Sequence, residues 1–260
     1  MKERSQEIAL YGERCSGTNF IAEILRLNSG CKVSYPLGFK HFPKTFPVEE
    51  QRRLLLGRPV LFLIRHPESW VRSMFLNPWH AMKDIREKDF SDFLRAEWHS
   101  VWDEEANVFP GNPRYGQPIK EDRDPLTGKP FPNLLRMRTA KIHRFQEIES
   151  CSERSCWVRL EDLVDDQEAI YRKTAGALGL PVSDEYTPVF AYKGNASWRS
   201  ELLRRVGLGR LNASARREGR KPPLGPADRD FIWTELDAAT EASFGYAPGI
   251  RRNEIEGKGG

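Results

Sequence analysis

The 260-residue sequence has little of what usually declares a metal centre, a membrane span or a disulfide framework. Its four cysteines, Cys15, Cys31, Cys151 and Cys156, form no C-x-x-C, and no histidine opens an H-E-x-x-H, so no metal site is expected. The cysteines read as reduced thiols. No apolar run reaches the roughly 18 residues that cross a bilayer. The opening MKERSQEIAL is charged where a secretory signal would be apolar. The expectation is a cytoplasmic protein without a membrane span. No internal repeat and no nucleic-acid-binding motif is found, and nothing in the pattern specifies an oligomeric state.

What is present is a globular composition, 39% hydrophobic and 30% charged, which argues against wholesale disorder. The net charge of +4 is small, but nine Lys or Arg fall between Lys193 and Lys221 against only Glu201 and Glu218. That stretch suits an anionic ligand. Short apolar runs, EIALYG, CKVSY, PVLFLIR and CWVRLED, read as strands. Helical patterns span 18–28, 67–76, roughly 90–106, 133–149, 166–179 and 227–243. The alternation predicts an α/β fold, three-layer α/β/α with a parallel central sheet. One domain is expected over 1–250, with an inserted, Pro- and Gly-rich substrate-side loop at 109–133 and a tail at 251–260.

Between Gly12 and Gly17 lies the G-x-x-x-x-G spacing of a phosphate-binding loop, placed between a strand and a helix. An ATP or GTP loop continues with Lys and a metal-binding hydroxyl; here Thr18 and Asn19 follow. The backbone N–H groups and the positive helix end remain suited to an anion, with Ser16, Thr18 and Asn19 as added donors and Arg14 as a cation. Arg65 closes a buried strand, where ligands gather in a parallel sheet, and Ser73 follows two helical turns into the next helix.

These segments resemble a family. CSGTNF is similar to the P-K-S-G-T-T-W loop of sulfotransferases that use 3′-phosphoadenosine 5′-phosphosulfate (PAPS). RHPESWVRS resembles their 3′-phosphate motif, with Arg and Ser eight positions apart. VRLEDLVDDQEAIYRKTAGALGLP, YKGNASWRSEL and SFGY resemble later family segments in the same order, so the likeness covers most of 7–246. The resemblance implies a P-loop NTPase-like sulfotransferase fold. It implies that Ser16, Gly17, Thr18 and Asn19 hold the 5′-phosphosulfate and that Phe20 stands where a Trp stacks on adenine. Arg65, Ser73, Lys193 and Gly194 would hold the 3′-phosphate. The family's loop lysine falls on Cys15, so Arg14 or Lys40 would have to neutralise the bridging oxygen. A sulfuryl group carries less charge than a phosphoryl group in transfer, so no metal is required, and 3′,5′-adenosine bisphosphate (PAP) is the product.

A hydroxyl acceptor also needs a base. GFKHFPK looks like the K-T-H-L-P stretch of small-molecule sulfotransferases, which makes His41 the candidate; Glu13 is the alternative. The acceptor is expected to be a glycan or a small molecule, with a weak preference for a carbohydrate. Trp98 and Trp102 in RAEWHSVWDEE read as core at helical spacing. A P-loop kinase, or a non-catalytic nucleotide- or glycan-binding relative, is the competing expectation.

Overall fold

The structure is a computed structural model, and it describes residues 6–104, 108–189 and 221–249. Contacts divide the chain into two compact units, each discontinuous in sequence: Met1–Arg65 with Arg144–Pro222, and His66–His143 with Pro223–Gly260.

The first unit holds a four-stranded, all-parallel sheet in the order β2-β1-β3-β4. Its strands are β1 (Glu7–Gly12), β2 (Lys32–Ser34), β3 (Val60–Ile64) and β4 (Ser155–Arg159). All five residues of β3 are buried and nearly all of β1, because both strands lie at the centre; the outer β2 and β4 are only partly covered. Alternate residues serve opposite faces. Ile8, Leu10, Leu61, Leu63 and Val158 pack against α1 (Thr18–Ser29) and α8 (Gln167–Leu178). Ala9, Tyr11, Val60 and Phe62 face the other way, toward Leu55 of α2 (Val48–Leu55) and Phe145 and Ile148 of α6 (Leu134–Ser150). Each of the Ile, Leu, Val and Phe side chains contributes about 1.5–3 kcal/mol when fully removed from water. Helices on both faces make the unit an α/β fold compatible with three layers. Buried Arg144 joins α6 to the α2 region, donating to the Lys44 carbonyl at 2.6 Å and to Gln51 Oε1 at 2.9 Å.

The fourth predicted strand, CWVRLED, is corrected in part. Its strand ends at Arg159, and LED opens α7 (Leu160–Asp165), with Asp166 capping α8 through the Ala169 amide.

The second unit contains α3 (Pro67–Leu76), α4 (Lys83–Arg86), α5 (Phe90–Arg95), the N-terminal part of α6, α9 (Pro226–Glu235) and α10 (Ala238–Ser243). The helix expected over 90–106 ends at Arg95. Beyond it, Trp98 bridges antiparallel to Phe131, Ser100 to Ala81 and Val101 to Pro118. Trp98 is core as expected, but Trp102 is half-buried on this bridged stretch rather than on a helix. The 109–133 segment is built around a 3₁₀ turn, Lys120–Asp122, whose Asp122 pairs with buried Lys141 at 3.0 Å. Asp103 receives hydrogen bonds from His80 and Arg86. Burial works to raise its carboxyl, but these two bonds outweigh it and hold the group below its ordinary value.

Candidate functional site

The loop from Glu13 to Gly17 leaves β1 and enters α1, and both bracketing glycines have steric reasons to be glycine. A Cβ on Gly12 would lie 2.8 Å from the Leu63 carbonyl oxygen of the neighbouring strand. Gly17 has φ 89°, in the left-handed region, and a Cβ there would come within 2.6 Å of Leu160 Cδ1. Between them Cys15 also has positive φ, 60°, which for a side-chain-bearing residue costs about 1–2 kcal/mol. Gly17 is the N-cap of α1, and no side chain caps that helix. The Phe20 amide donates to the Gly17 carbonyl at 2.9 Å, and the N–H groups of Gly17, Thr18 and Asn19 are thus offered to water or to an anion.

Around this turn the structure brings together most of the residues expected there. Ser16 is wholly buried, its hydroxyl donating to the Glu13 carbonyl at 2.6 Å and its amide turned to the same oxygen. It shapes the turn while its oxygen can still accept. Thr18 is 5% exposed, its methyl against Gly12, and Asn19 is exposed on the first turn. Phe20, expected against an adenine, lies in the core cluster beneath α1. Glu13, the alternative base, is completely buried.

The GFKHFPK segment lies against the end of β1. The Gly12 amide donates to the Lys40 carbonyl at 3.1 Å, and His41 Nδ1 sits 2.7 Å from the Gly12 carbonyl oxygen. A carbonyl can only accept, so Nδ1 carries the hydrogen, and in the neutral ring the lone pair resides on Nε2. Phe39 meets the His41 ring edge-on at 5.4 Å and lies 5.3 Å from the Arg14 guanidinium. Lys40 Nζ donates to Asn19 Oδ1 at 2.8 Å, which places its ammonium at the first turn of α1. The two candidate cations therefore differ. Arg14 is 2% exposed, whereas Lys40 is only half-buried.

Arg65, at the end of β3, donates from Nη1 to the Cys15 carbonyl at 3.0 Å. Ser73 belongs to α3 in the second unit and is nearly buried, its carbonyl accepting the Asn77 amide. Lys193 and Gly194 lie outside the described residues, as does nearly all of the basic 193–221 stretch.

No family model, curated protein or solved structure matches the chain. The chemistry of the site rests on its own geometry. Among the described residues, no cluster of three or more His, Cys, Asp or Glu side chains could hold a metal ion, and no helix is long and apolar enough to cross a membrane. An open cleft of about 530 Å³ is lined by Asn19, Ala22, Glu23, Arg26, Cys31, Lys32 and Val33, along α1 and β2; His41 and Arg65 do not line it.

Three contributors to the site were not singled out in the sequence. Leu160 packs where a Gly17 side chain would be, Phe39 touches both the Arg14 guanidinium and the His41 ring, and Tyr11 accepts the Leu37 amide at 2.9 Å ahead of the histidine loop. All three lay inside segments marked in the sequence, VRLED, GFKHFPK and EIALYG, but those strings do not say what each side chain touches.

Proposed function

We propose that the chain is a PAPS-dependent sulfotransferase of P-loop NTPase-like fold, moving a sulfuryl group to an acceptor hydroxyl, preferably on a carbohydrate. The observation that carries this reading is the meeting of two loops. The Lys40–His41 pair lies against Gly12 and Asn19, so a cation and a candidate base stand beside an uncapped helix start. These residues fit a donor with a bridging phosphosulfate. The first-turn N–H groups and the Lys40 ammonium suit its negative oxygens, and the guanidinium of Arg65 suits a second phosphate.

In this reading His41 Nε2 takes the acceptor's hydroxyl proton as the acceptor oxygen bonds to sulfur. The bond from sulfur to the 5′-phosphate oxygen breaks. Lys40 and the amides of Gly17, Thr18 and Asn19 stabilise the charge left on that phosphate, which departs as PAP. Lys40 takes the part of the missing loop lysine at Cys15, because Arg14 is buried against Phe39.

The deciding experiment is calorimetric titration in EDTA with PAP and with AMP, followed by transfer of labelled sulfate to pooled carbohydrate and phenol acceptors. Tighter binding of PAP, and transfer without Mg²⁺, are expected. Equal affinity for the two nucleotides would remove the second-phosphate role of Arg65, and Mg²⁺-dependent transfer of labelled phosphate from ATP, with no transfer of sulfate, would replace this reading with a kinase. His41→Ala should lower turnover roughly 10²–10⁴-fold while PAP affinity stays near wild type.

A further inference from the structure

Cys15 holds a conformation that side-chain-bearing residues resist, φ 60°, in the middle of the anion loop. Strained backbone of this kind persists only where its surroundings enforce it. On one side, Ser16 folds its amide and hydroxyl onto the Glu13 carbonyl. On the other, the Cys15 carbonyl itself accepts an N–H from Arg65. Arg65 directly follows β3, whose Leu63 is in register with Gly12 of β1, so this second hold is anchored in the centre of the sheet.

We infer that Arg65 is a positioning residue for the loop: through the Cys15 carbonyl it keeps residues 15–19 in their anion-binding shape. The clamp deepens the proposed donor site, and the identity of the anion rests on that reading. The hold on the loop does not. In the free protein the same bond should hold the loop whatever the loop binds.

The test is a double-mutant cycle between Arg65→Ala and Cys15→Gly, read by backbone amide exchange at Gly17, Thr18 and Asn19 without ligand. Glycine adopts positive φ at no steric cost, so it should relieve the need for the clamp. Arg65→Ala alone should speed loop exchange by roughly 5- to 30-fold, the equivalent of the left-handed penalty. In the Cys15→Gly background the same change should have a markedly smaller effect. Arg65→Lys, which retains one donor for the carbonyl, should stay close to wild type and guards against a general folding defect. Equal acceleration in both backgrounds, or none in either, would overturn the inference. Titration with PAP separates the two readings. Coupled exchange in a protein that binds no PAP leaves the clamp standing and removes the donor assignment. Tight PAP binding with additive exchange effects does the reverse.

Discussion

Tyr11 is wholly buried on β1, and its oxygen accepts the Leu37 amide ahead of the loop that carries Lys40 and His41. Burial pushes the phenol well above its ordinary pKa, so it serves as a neutral hydrogen-bonding group. Tyr11→Phe keeps the ring among its apolar neighbours but leaves that amide without its acceptor. The expected cost is about 1–3 kcal/mol, to be read as a lower denaturation midpoint with unchanged slope in urea. The contrast with His41 shows how far single residues can be read from sequence. H-F-P drew attention to His41, and Gly12 and Gly17 were marked by their spacing. The strand pattern of EIALYG said only that Tyr11 is apolar-facing and gave no hint of the amide it meets. Phe20 shows the same limit: its position in the motif was visible, and the core it packs into was not.

Helices and strands were most legible where one period ran uninterrupted between clear stops. EIALYG is β1 to the residue, and the helix expected at 67–76 is α3. The failures fall where a short polar signal interrupts the pattern. The single helix expected over 227–243 is two, because Asp237 caps α10 by accepting the Ala239 and Thr240 amides. At 48–55 the sign pattern of a helix was present, Glu49 and Glu50 in the first turn and Arg52 and Arg53 in the last, but few apolar residues accompany it. The 90–106 pattern ended early because Trp98 and Val101 found bridge partners, and pairing with distant backbone outweighs local period. The Asp237 cap gives a test of this scale. Hydrogen bonds from the Thr240 amide and hydroxyl hold its carboxyl below the ordinary aspartate value. The folded form therefore binds this proton less readily than the unfolded form. The stabilisation is complete above the unfolded aspartate value and fades as pH falls through the depressed one. Asp237→Ala should cost about 0.5–2 kcal/mol near neutrality, and Asp237→Asn less, with the gap from wild type narrowing in acid. Urea unfolding of the three proteins across pH 2–7, an interval chosen to bracket ordinary aspartate titration, checks both points.

At the scale of the whole molecule, the sequence announced an α/β chain with a parallel sheet but not the buried charges of the second unit. Arg138 and Lys141 look like the polar face of a helix when read in a row. In the structure Arg138 is fully buried, pairing bidentately with Glu241 at 2.6 and 2.9 Å and lying 5.1 Å from the Trp70 ring. Taking both charges out of water is expensive, so breaking the pair does more harm than replacing it. Glu241→Gln should destabilise the protein by about 3–5 kcal/mol, whereas Arg138→Met with Glu241→Leu should recover much of that loss; calorimetric unfolding distinguishes them. Strand order has a consequence of another kind, in time. β3 pairs on one side with β1, its near neighbour in the chain, and on the other with β4, from which residues 65–154 separate it. Closing so long a loop is slow compared with pairing local strands. During synthesis, three strands leave the ribosome long before the fourth. Until β4 arrives, the most apolar strand of the sheet has an open hydrogen-bonding edge, and it is in that interval that a nascent chain is most exposed to pairing with the wrong neighbour.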